Sequence, residues 1–425
     1  MPHAVIESPD SLKTFFASCE AVSIRQDQDI SGPQSRLPLG VYLHIPFCLS
    51  KCAYCDAVSY AGRMQLVPEY VRALHQEWLW YAESGIWRAF RPSTFYIGGG
   101  TPSSILDALL ALLERLSRLL PLASFFERTI EINPGTVRLP QLQQLRTAGI
   151  NRLSIGIQSF HDDELRLTGR MHSADDAQRC VREARQAGFD NISLDLISAL
   201  PGSTFERWAE NLRQAIALGP EHLSIYTLSL EEGTPFWRQY QDGMLLLPEE
   251  ELQIRMYCHT IEQLTAAGYE QYEISNFARP GRRSQHNQIY WRNEDYLGIG
   301  AGAWSSLHGV RSGNYTDLDR YMAGASRLES EQTSGVAAPL PPTVEQYECL
   351  DHSRQIGESI MMNLRLIEGI DLQRFRQRFG VALEKRYARE LEKLAPLGLL
   401  DMQDGFLRLS PRGLLLADEV CREFI

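Results

Sequence analysis

Tyr42-Leu-His44-Ile-Pro46-Phe47-Cys48-Leu-Ser-Lys-Cys52-Ala-Tyr54-Cys55 brings three thiols into eight residues, directly behind an apolar run at residues 39–45 that reads as a buried strand. Three cysteines cannot pair evenly among themselves, and a chain without an export signal is expected in a compartment that keeps thiols reduced. Structural zinc takes four ligands, usually as two separated pairs, and no second Cys or His pair follows at such spacing. A cubane iron–sulfur cluster has four irons, so three thiolates on a short loop leave one iron open to another ligand. Cys48, Cys52 and Cys55 are therefore expected to hold such a cluster.

From that strand onward, short apolar runs alternate with amphipathic stretches. Strands are expected at residues 41–45, 94–97, 129–132, 152–157, 191–197 and 222–228. Helices are expected at 68–83, 104–120, 139–148, 174–187, 204–218 and 249–267. Continuous apolar strands separated by helices mean a parallel sheet with right-handed crossovers. Six such units predict an α/β fold, a partial (β/α)6 TIM-like barrel.

In such a barrel the functional residues gather where the strands end. Here the first strand runs into the cysteines, the second into Gly98-Gly-Gly100-Thr101-Pro102, and the third into Glu131-Ile-Asn133-Pro134-Gly135. The fourth ends in Gly156-Ile-Gln158, the fifth carries Asp195, and the sixth gives Tyr226-Thr227-Leu228. Three consecutive glycines lack every Cβ at one strand end; a turn needs only one, so a close-approaching ligand or backbone is expected there. Glu131, Gln158 and Asp195 are polar side chains inside apolar strands and need a hydrogen-bonding partner, for which ligand hydroxyls and amines suit better than a structural bond. Arg170 could hold a carboxylate, although an isolated arginine is usually a solvated surface charge.

The C-x3-C-x2-C spacing resembles the cluster motif of the radical S-adenosylmethionine (SAM) superfamily. That resemblance implies a [4Fe-4S] cluster whose open iron chelates SAM and whose electron cleaves it to a 5′-deoxyadenosyl radical. Residues from about 39 to 325 look more narrowly like the coproporphyrinogen III dehydrogenase-related group. The matching words are His44-Ile-Pro-Phe-Cys48, Gly98-Gly-Gly-Thr-Pro-Ser103, Glu131-Ile-Asn-Pro-Gly135, Arg152-Leu-Ser-Ile-Gly-Ile-Gln-Ser-Phe160 and Asp195-Leu. By that resemblance Tyr42, Gly99, Gly100, Thr101, Glu131, Gln158, Arg170 and Asp195 line a SAM pocket.

Two features choose between branches of the group. The oxidase-type motif continues with a further cysteine two residues after the third, whereas Cys55 is followed by Asp56-Ala57. Gln285-His286-Asn287-Gln-Ile-Tyr290-Trp291 resembles the H-N-x-x-Y-W word of the haem-chaperone, HemW-like branch. The branch implies haem or porphyrin as ligand, an apo-haemoprotein as acceptor, and an electron donor such as flavodoxin or ferredoxin. The alternative is an oxygen-independent oxidase converting coproporphyrinogen III propionates to vinyl groups. A haem iron needs an axial donor. His286 is the first candidate, set against the commoner role of a histidine satisfied inside the structure. The family's G-x-G-A-H reads Gly300-Ala-Gly302-Ala303-Trp304 here, with His308 a candidate to take over the missing histidine's task.

The net charge of −11 opposes a phosphate backbone, and no basic patch answers it, so no nucleic-acid partner is expected. Cys19, Cys180, Cys258, Cys349 and Cys421 stand singly and read as small apolar residues. The longest apolar stretch, 105–126, is interrupted by Glu114, Arg115 and Arg118, so no transmembrane segment is expected and the chain reads as cytoplasmic. Residues 1–37 read as a flexible leader, 38–330 as the barrel with a HemW-like extension, and 343–425 as a small winged-helix-like α+β domain behind the Pro-rich linker at 339–342. In that last piece helices are expected at 345–366, 372–379, 383–394 and 411–424, with strands around the Asp404-Gly405 turn. Without a basic recognition helix, it reads as a cover for the open side of the barrel or a partner surface.

Overall fold

The computed structural model describes residues 36–331 and 340–425. The expected leader lies outside them except for Arg36 and Leu37. Six parallel strands follow in order: β1 (Leu37–Ile45), β2 (Phe90–Gly99), β3 (Glu127–Ile132), β4 (Arg152–Gln158), β5 (Ile192–Ser198) and β6 (His222–Thr227), each paired with the next. Between and after them run α1 (Val67–Glu83), α2 (Leu106–Leu119), α3 (Leu139–Thr147), α4 (Ala174–Gln186), α5 (Phe205–Ala217) and α6 (Glu250–Ala266). These are the six βα units that the alternation of patterns predicts.

The sheet continues past both ends of this core. Beyond β6 lie the short strands β7 (Glu270–Gln271) and β8 (Asn276–Ala278); beyond β1 lie β9 (Tyr296–Ile299), β10 (Trp304–Leu307), β11 (Val310–Asn314) and β12 (Val344–Cys349). The twelve-stranded order is β12-β11-β10-β9-β1-β2-β3-β4-β5-β6-β8-β7, with no ladder joining the two edges among the described residues. The barrel is thus partial and open.

Alternation along each strand divides its residues between two faces. Leu39, Val41, Leu43 and Ile45 of β1, and Leu153, Ile155 and Ile157 of β4, are fully buried in the apolar core shared with the helices. Residues of the other parity are mostly polar or glycine, as Arg152, Ser154, Gly156 and Gln158 show on β4, and those near the strand ends line the bore. The strands therefore read as apolar on average while carrying a polar inner surface.

The start of the bore is closed by a short helix, α7 (Gln285–Trp291). Glu127 on β3 accepts the helix's first amides, Gln285 N at 2.9 Å and His286 N at 3.1 Å. Ile289 reaches Gly40, where a Cβ would come within 2.7 Å of its Cδ1. The helix is a plug at the end of the barrel opposite the cysteine loop.

The stretch expected as one helix over 345–366 divides in two. Residues 344–349 form β12, antiparallel to β11, and the helix proper spans His352–Leu364, capped by Asp351 accepting from Arg354 N. The 383–394 stretch likewise breaks at Tyr387 into Leu383–Arg386 and Ala388–Leu394, and the terminal helix breaks at Leu416 into Pro411–Leu415 and Ala417–Arg422. A second apolar core gathers these helices with the three-stranded sheet of Ile370–Asp371, Phe406–Leu409 and Leu400–Gln403. This module docks on the plug: Arg378 donates to the carbonyls of Arg292 and Asn293, and Arg374 pairs with Glu294 at 2.5 Å. Its Leu372–Phe379 helix thus turns two arginines onto the barrel rather than outward, and none of its residues lines the cavity described below. Among the described residues no helix is long and apolar enough to cross a membrane.

One buried carboxylate ties the first helix to the added strands. Glu77 on α1 is fully buried and accepts from Gly300 N (2.9 Å), Asn314 Nδ2 (2.7 Å), Thr343 Oγ1 (2.8 Å) and Tyr321 OH (2.6 Å). The Gly300 amide can only donate, and Asn314 presents its donor Nδ2, held that way round by a second bond to Gly300 O (3.0 Å); the two meet different oxygens of Glu77. Glu77→Gln should therefore destabilise the fold even though it preserves shape, because its NH2 must face one of those donors. Urea unfolding is expected to show a loss of roughly 1–3 kcal/mol for Glu77→Gln and more for Glu77→Ala.

Candidate cofactor site

The C-terminal ends of the six strands open into a cavity of about 590 Å³. That lies within the range of roughly 300–1,000 Å³ common for small-molecule sites. Cys48, Cys52 and Cys55 all line it, with their thiols free. Cys48 sits in a two-residue strand, Phe47–Cys48, paired with Tyr60–Ala61. The rest of the loop is anchored by Ala53, whose N–H donates to Thr168 O (3.0 Å) and whose carbonyl accepts from Phe236 N (2.9 Å). His44 secures the far side, its Nε2 lying 2.8 Å from Val58 O.

Each of the three glycines answers a different neighbour. A Cβ on Gly98 would fall 2.8 Å from Glu131 Oε1, and one on Gly99, at φ +114°, 2.5 Å from the His44 ring. A Cβ on Gly100 would lie 2.8 Å from Phe47 O and 3.0 Å from Cys48 Sγ. The ledge also pairs with the start of the cysteine loop, Gly100 N donating to Ile45 O (2.9 Å) and Thr101 N to Phe47 O (2.7 Å). The triplet expected to admit a ligand thus also brings two pieces of backbone together around Cys48.

Behind the ledge the polar groups form a connected set. Glu131 accepts from Tyr96 OH (2.9 Å) and Gly99 N (3.1 Å); burial pushes its carboxyl up to about 7, against the pull of those donors. Asp195 accepts from Ser154 Oγ (3.0 Å) and Ser193 Oγ (3.2 Å), and burial raises its carboxyl as well. Arg170 donates to Asn133 Oδ1 (2.7 Å), to Gly156 O, and to Cys52 Sγ at 3.7 Å. Asn133 donates in turn to Thr101 Oγ1 (3.0 Å), which reaches Cys48 Sγ at 3.5 Å. Two of the three sulfurs are therefore touched by donors that fix their orientation. Gln158, at φ +70°, and Ala199, at φ +58°, hold left-handed backbone at adjacent strand ends, a conformation that a non-glycine residue adopts only when its surroundings impose it.

Gly99, Gly100, Thr101, Glu131, Gln158, Arg170 and Asp195 all line the cavity together with the cysteines. Two other expected residues do not. Tyr42 lies a layer deeper, its hydroxyl 2.9 Å from His44 Nδ1 and its ring stacked on Tyr96. His286 is buried in the plug with both nitrogens engaged, Nδ1 at 2.7 Å from Thr94 Oγ1 and Nε2 at 2.9 Å from Tyr290 OH. His308 stacks on Phe90, ring centroids 4.9 Å apart, and neither it nor Trp304 lines the cavity. Tyr226, expected at the end of the sixth strand, does line it, and Arg152, Ser154 and Asn287 do so without having been given a part in the site. Arg152 and Ser154 share the strand parity of Gly156 and Gln158, which was the available signal.

The donor chemistry fits an iron–sulfur cluster: three unpaired thiols line one cavity, beside a ledge where a methyl group on Gly100 would strike Cys48. Among the described residues the thiols are not drawn together as a ready metal cage. Burial pushes the Cys48 and Cys55 thiols up, so a bound metal is what would favour their thiolate form.

A model of the radical SAM superfamily matches residues 42–215, and one of the HemN C-terminal domain matches residues 350–416. The haem chaperone HemW of Bacillus subtilis is 37% identical over 388 residues, spanning 90% of this chain and 98% of that protein. HemW of Lactococcus lactis is 33% identical, covering 91% and 97% respectively. Among solved structures, the coproporphyrinogen III oxidase HemN of Escherichia coli, a radical SAM enzyme, superposes with a TM-score of 0.76 at 26% identity, covering 92% of this chain and 91% of that one. The fold and the cysteine loop thus define the class, a radical SAM barrel, which implies a [4Fe-4S] cluster and SAM. Within that class, the chain belongs to the HemW family.

Gly100→Ala should displace Cys48 while leaving all three cysteines in the sequence. Iron and acid-labile sulfide per chain after reconstitution are expected to fall, with affinity for the cluster lower by roughly ten- to hundred-fold. Cys52→Ala should abolish the brown cluster absorbance; full iron retention in that variant would contradict the assignment.

Proposed function

We propose that this protein binds haem and passes it to apo-haemoproteins, using a barrel that holds a [4Fe-4S] cluster and SAM at its strand ends. The observation that carries the proposal is the relation to HemW proteins along nearly the whole of both chains. Asp56-Ala57 after Cys55, where the oxidase-type motif has another cysteine, favours the chaperone over coproporphyrinogen oxidation. Free thiols facing a cavity suit the reducing cytoplasm, with flavodoxin or ferredoxin as electron donor.

In this reading Cys48, Cys52 and Cys55 hold the cluster, and Gly99, Gly100, Thr101, Glu131, Gln158, Arg170 and Asp195 receive SAM. When bound, the cluster supplies an electron and an open iron for SAM. The chain's own residues do the rest. Thr101 and Arg170 orient two sulfurs, the ledge admits a ligand's backbone-like end, and Glu131 offers a carboxyl whose charge changes near neutrality.

For the haem iron, His286 is the donor that the H-N-x-x-Y-W word suggests. Its Nε2 faces the Tyr290 hydroxyl, so ligation there requires the plug to exchange that hydrogen bond for iron. His286→Ala should then change the Soret band and weaken haem binding, whereas Tyr290→Phe should leave the ligand in place and strengthen it. An unchanged spectrum and affinity in His286→Ala would remove His286 as ligand. Reduced, reconstituted protein given SAM and coproporphyrinogen III should form no protoporphyrinogen; clear turnover would make it an oxidase.

A further inference from the structure

Arg152 opens β4 and is 2% exposed, yet its guanidinium has no hydrogen-bonding acceptor among the described residues, and its Nε is buried without a partner. It lines the floor of the cavity. A buried arginine ordinarily pairs directly with a carboxylate or a carbonyl, because its charge loses hydration and needs acceptors in exchange. Two carboxylates share the cavity and feel the Arg152 charge from the strands to either side: Glu131 on β3 and Asp195 on β5. Both have oxygens committed to other donors, Glu131 to Tyr96 and Gly99, Asp195 to Ser154 and Ser193.

We infer that Arg152 is a positioning residue that acts on the ligand through Glu131 and Asp195: its unpaired charge in the barrel floor favours the ionised form of these two carboxylates for a cationic, hydroxyl-bearing ligand. The inference rests on the cavity taking SAM, whose sulfonium, amino group and ribose have that character, and does not depend on haem. A direct salt bridge would compete for the lone pairs that the protein's own donors leave on these carboxylates; a charge acting at longer range leaves those lone pairs to accept from a ligand. In a site shielded from water such a field is weakened far less than at the surface.

The surrounding groups leave this task to Arg152. Tyr42, Tyr96, Tyr226 and Tyr290, facing Glu131 from β1, β2, β6 and α7, are all pushed up by burial and stay neutral at pH 7. His222 and His286 are held below their ordinary range, first by burial and then by Arg152 itself, so they too are neutral. Glu127 is turned to the amides of the plug, and Arg170 is bound to Asn133, Gly156 and Cys52. Burial raises both carboxyls, and the neighbouring Asp195 charge raises Glu131 further; Arg152 opposes the rise at each.

The test is an infrared titration of full-length, cluster-reconstituted protein without SAM, following the protonated carboxyl band that disappears in Glu131→Gln. In the unaltered protein the band should fade near pH 7. Arg152→Gln and Arg152→Met, both neutral, should move that midpoint upward by about one pH unit, a tenfold change in proton affinity, while Arg152→Lys stays near the original value. SAM affinity measured by equilibrium binding at pH 7 should fall about fivefold in the neutral variants, following the ionised fraction of Glu131, and hold in Arg152→Lys. An unmoved midpoint in the neutral variants, an equal shift in Arg152→Lys, or unchanged SAM affinity despite a shifted midpoint would overturn the inference. A merely structural arginine would alter stability without moving the midpoint.

Discussion

The close approach of the Gly98–Gly100 ledge to the cysteine loop is the constraint on which the site depends. Two backbone hydrogen bonds, Gly100 to Ile45 and Thr101 to Phe47, close a gap that no side chain larger than hydrogen could occupy. That contact fixes where Cys48 points, and through Thr101 and Asn133 it connects to Arg170 and so to Cys52. The thiols and the ligand-facing polar groups are thereby parts of one framework rather than two neighbouring sites.

The second constraint is the division of each strand into an apolar outer parity and a polar inner one. Outward residues such as Leu153 and Ile155 join the core under the helices and stabilise the barrel by burial. Inward residues have no apolar neighbour layer to fill the bore, so their hydrogen-bonding groups must be met by one another, by the plug helix or by a ligand. At the floor they meet the plug, as Thr94 does with His286 and Glu127 with two helix amides. Nearer the cysteines they face the cavity, and there the carboxylates and Arg152 remain for a ligand. Seating the C-terminal module on the plug places it at the opposite end from the chemistry.

Much of this was legible because it is written in local periodicity. The six strands, their helices and the polar residues at the strand ends follow from apolar runs, glycine clusters and the cysteine spacing. What escaped the sequence depended on distant partners or on a single break within a favourable run. Residues 344–349 look helical when read through to Leu364, yet Asp351 starts the helix and the preceding segment finds its partner in β11, a pairing that no local pattern announces. Arg152 resembles an ordinary boundary residue until the bore is assembled around it. His286 stands out in its word as an available donor, but its two hydrogen bonds come from β2, far back in the chain, and from a tyrosine one turn along its own helix.

The central claim is that three thiols on one loop leave a fourth metal corner facing a cavity shaped for SAM. Mössbauer spectroscopy of anaerobically reconstituted, iron-57-labelled protein, recorded with and without SAM, addresses it most directly. The account predicts a cubane in which one iron of the four becomes distinct on adding SAM while the other three keep thiolate-like parameters. A spectrum indifferent to SAM, or a preparation that carries zinc in place of the iron, would contradict it.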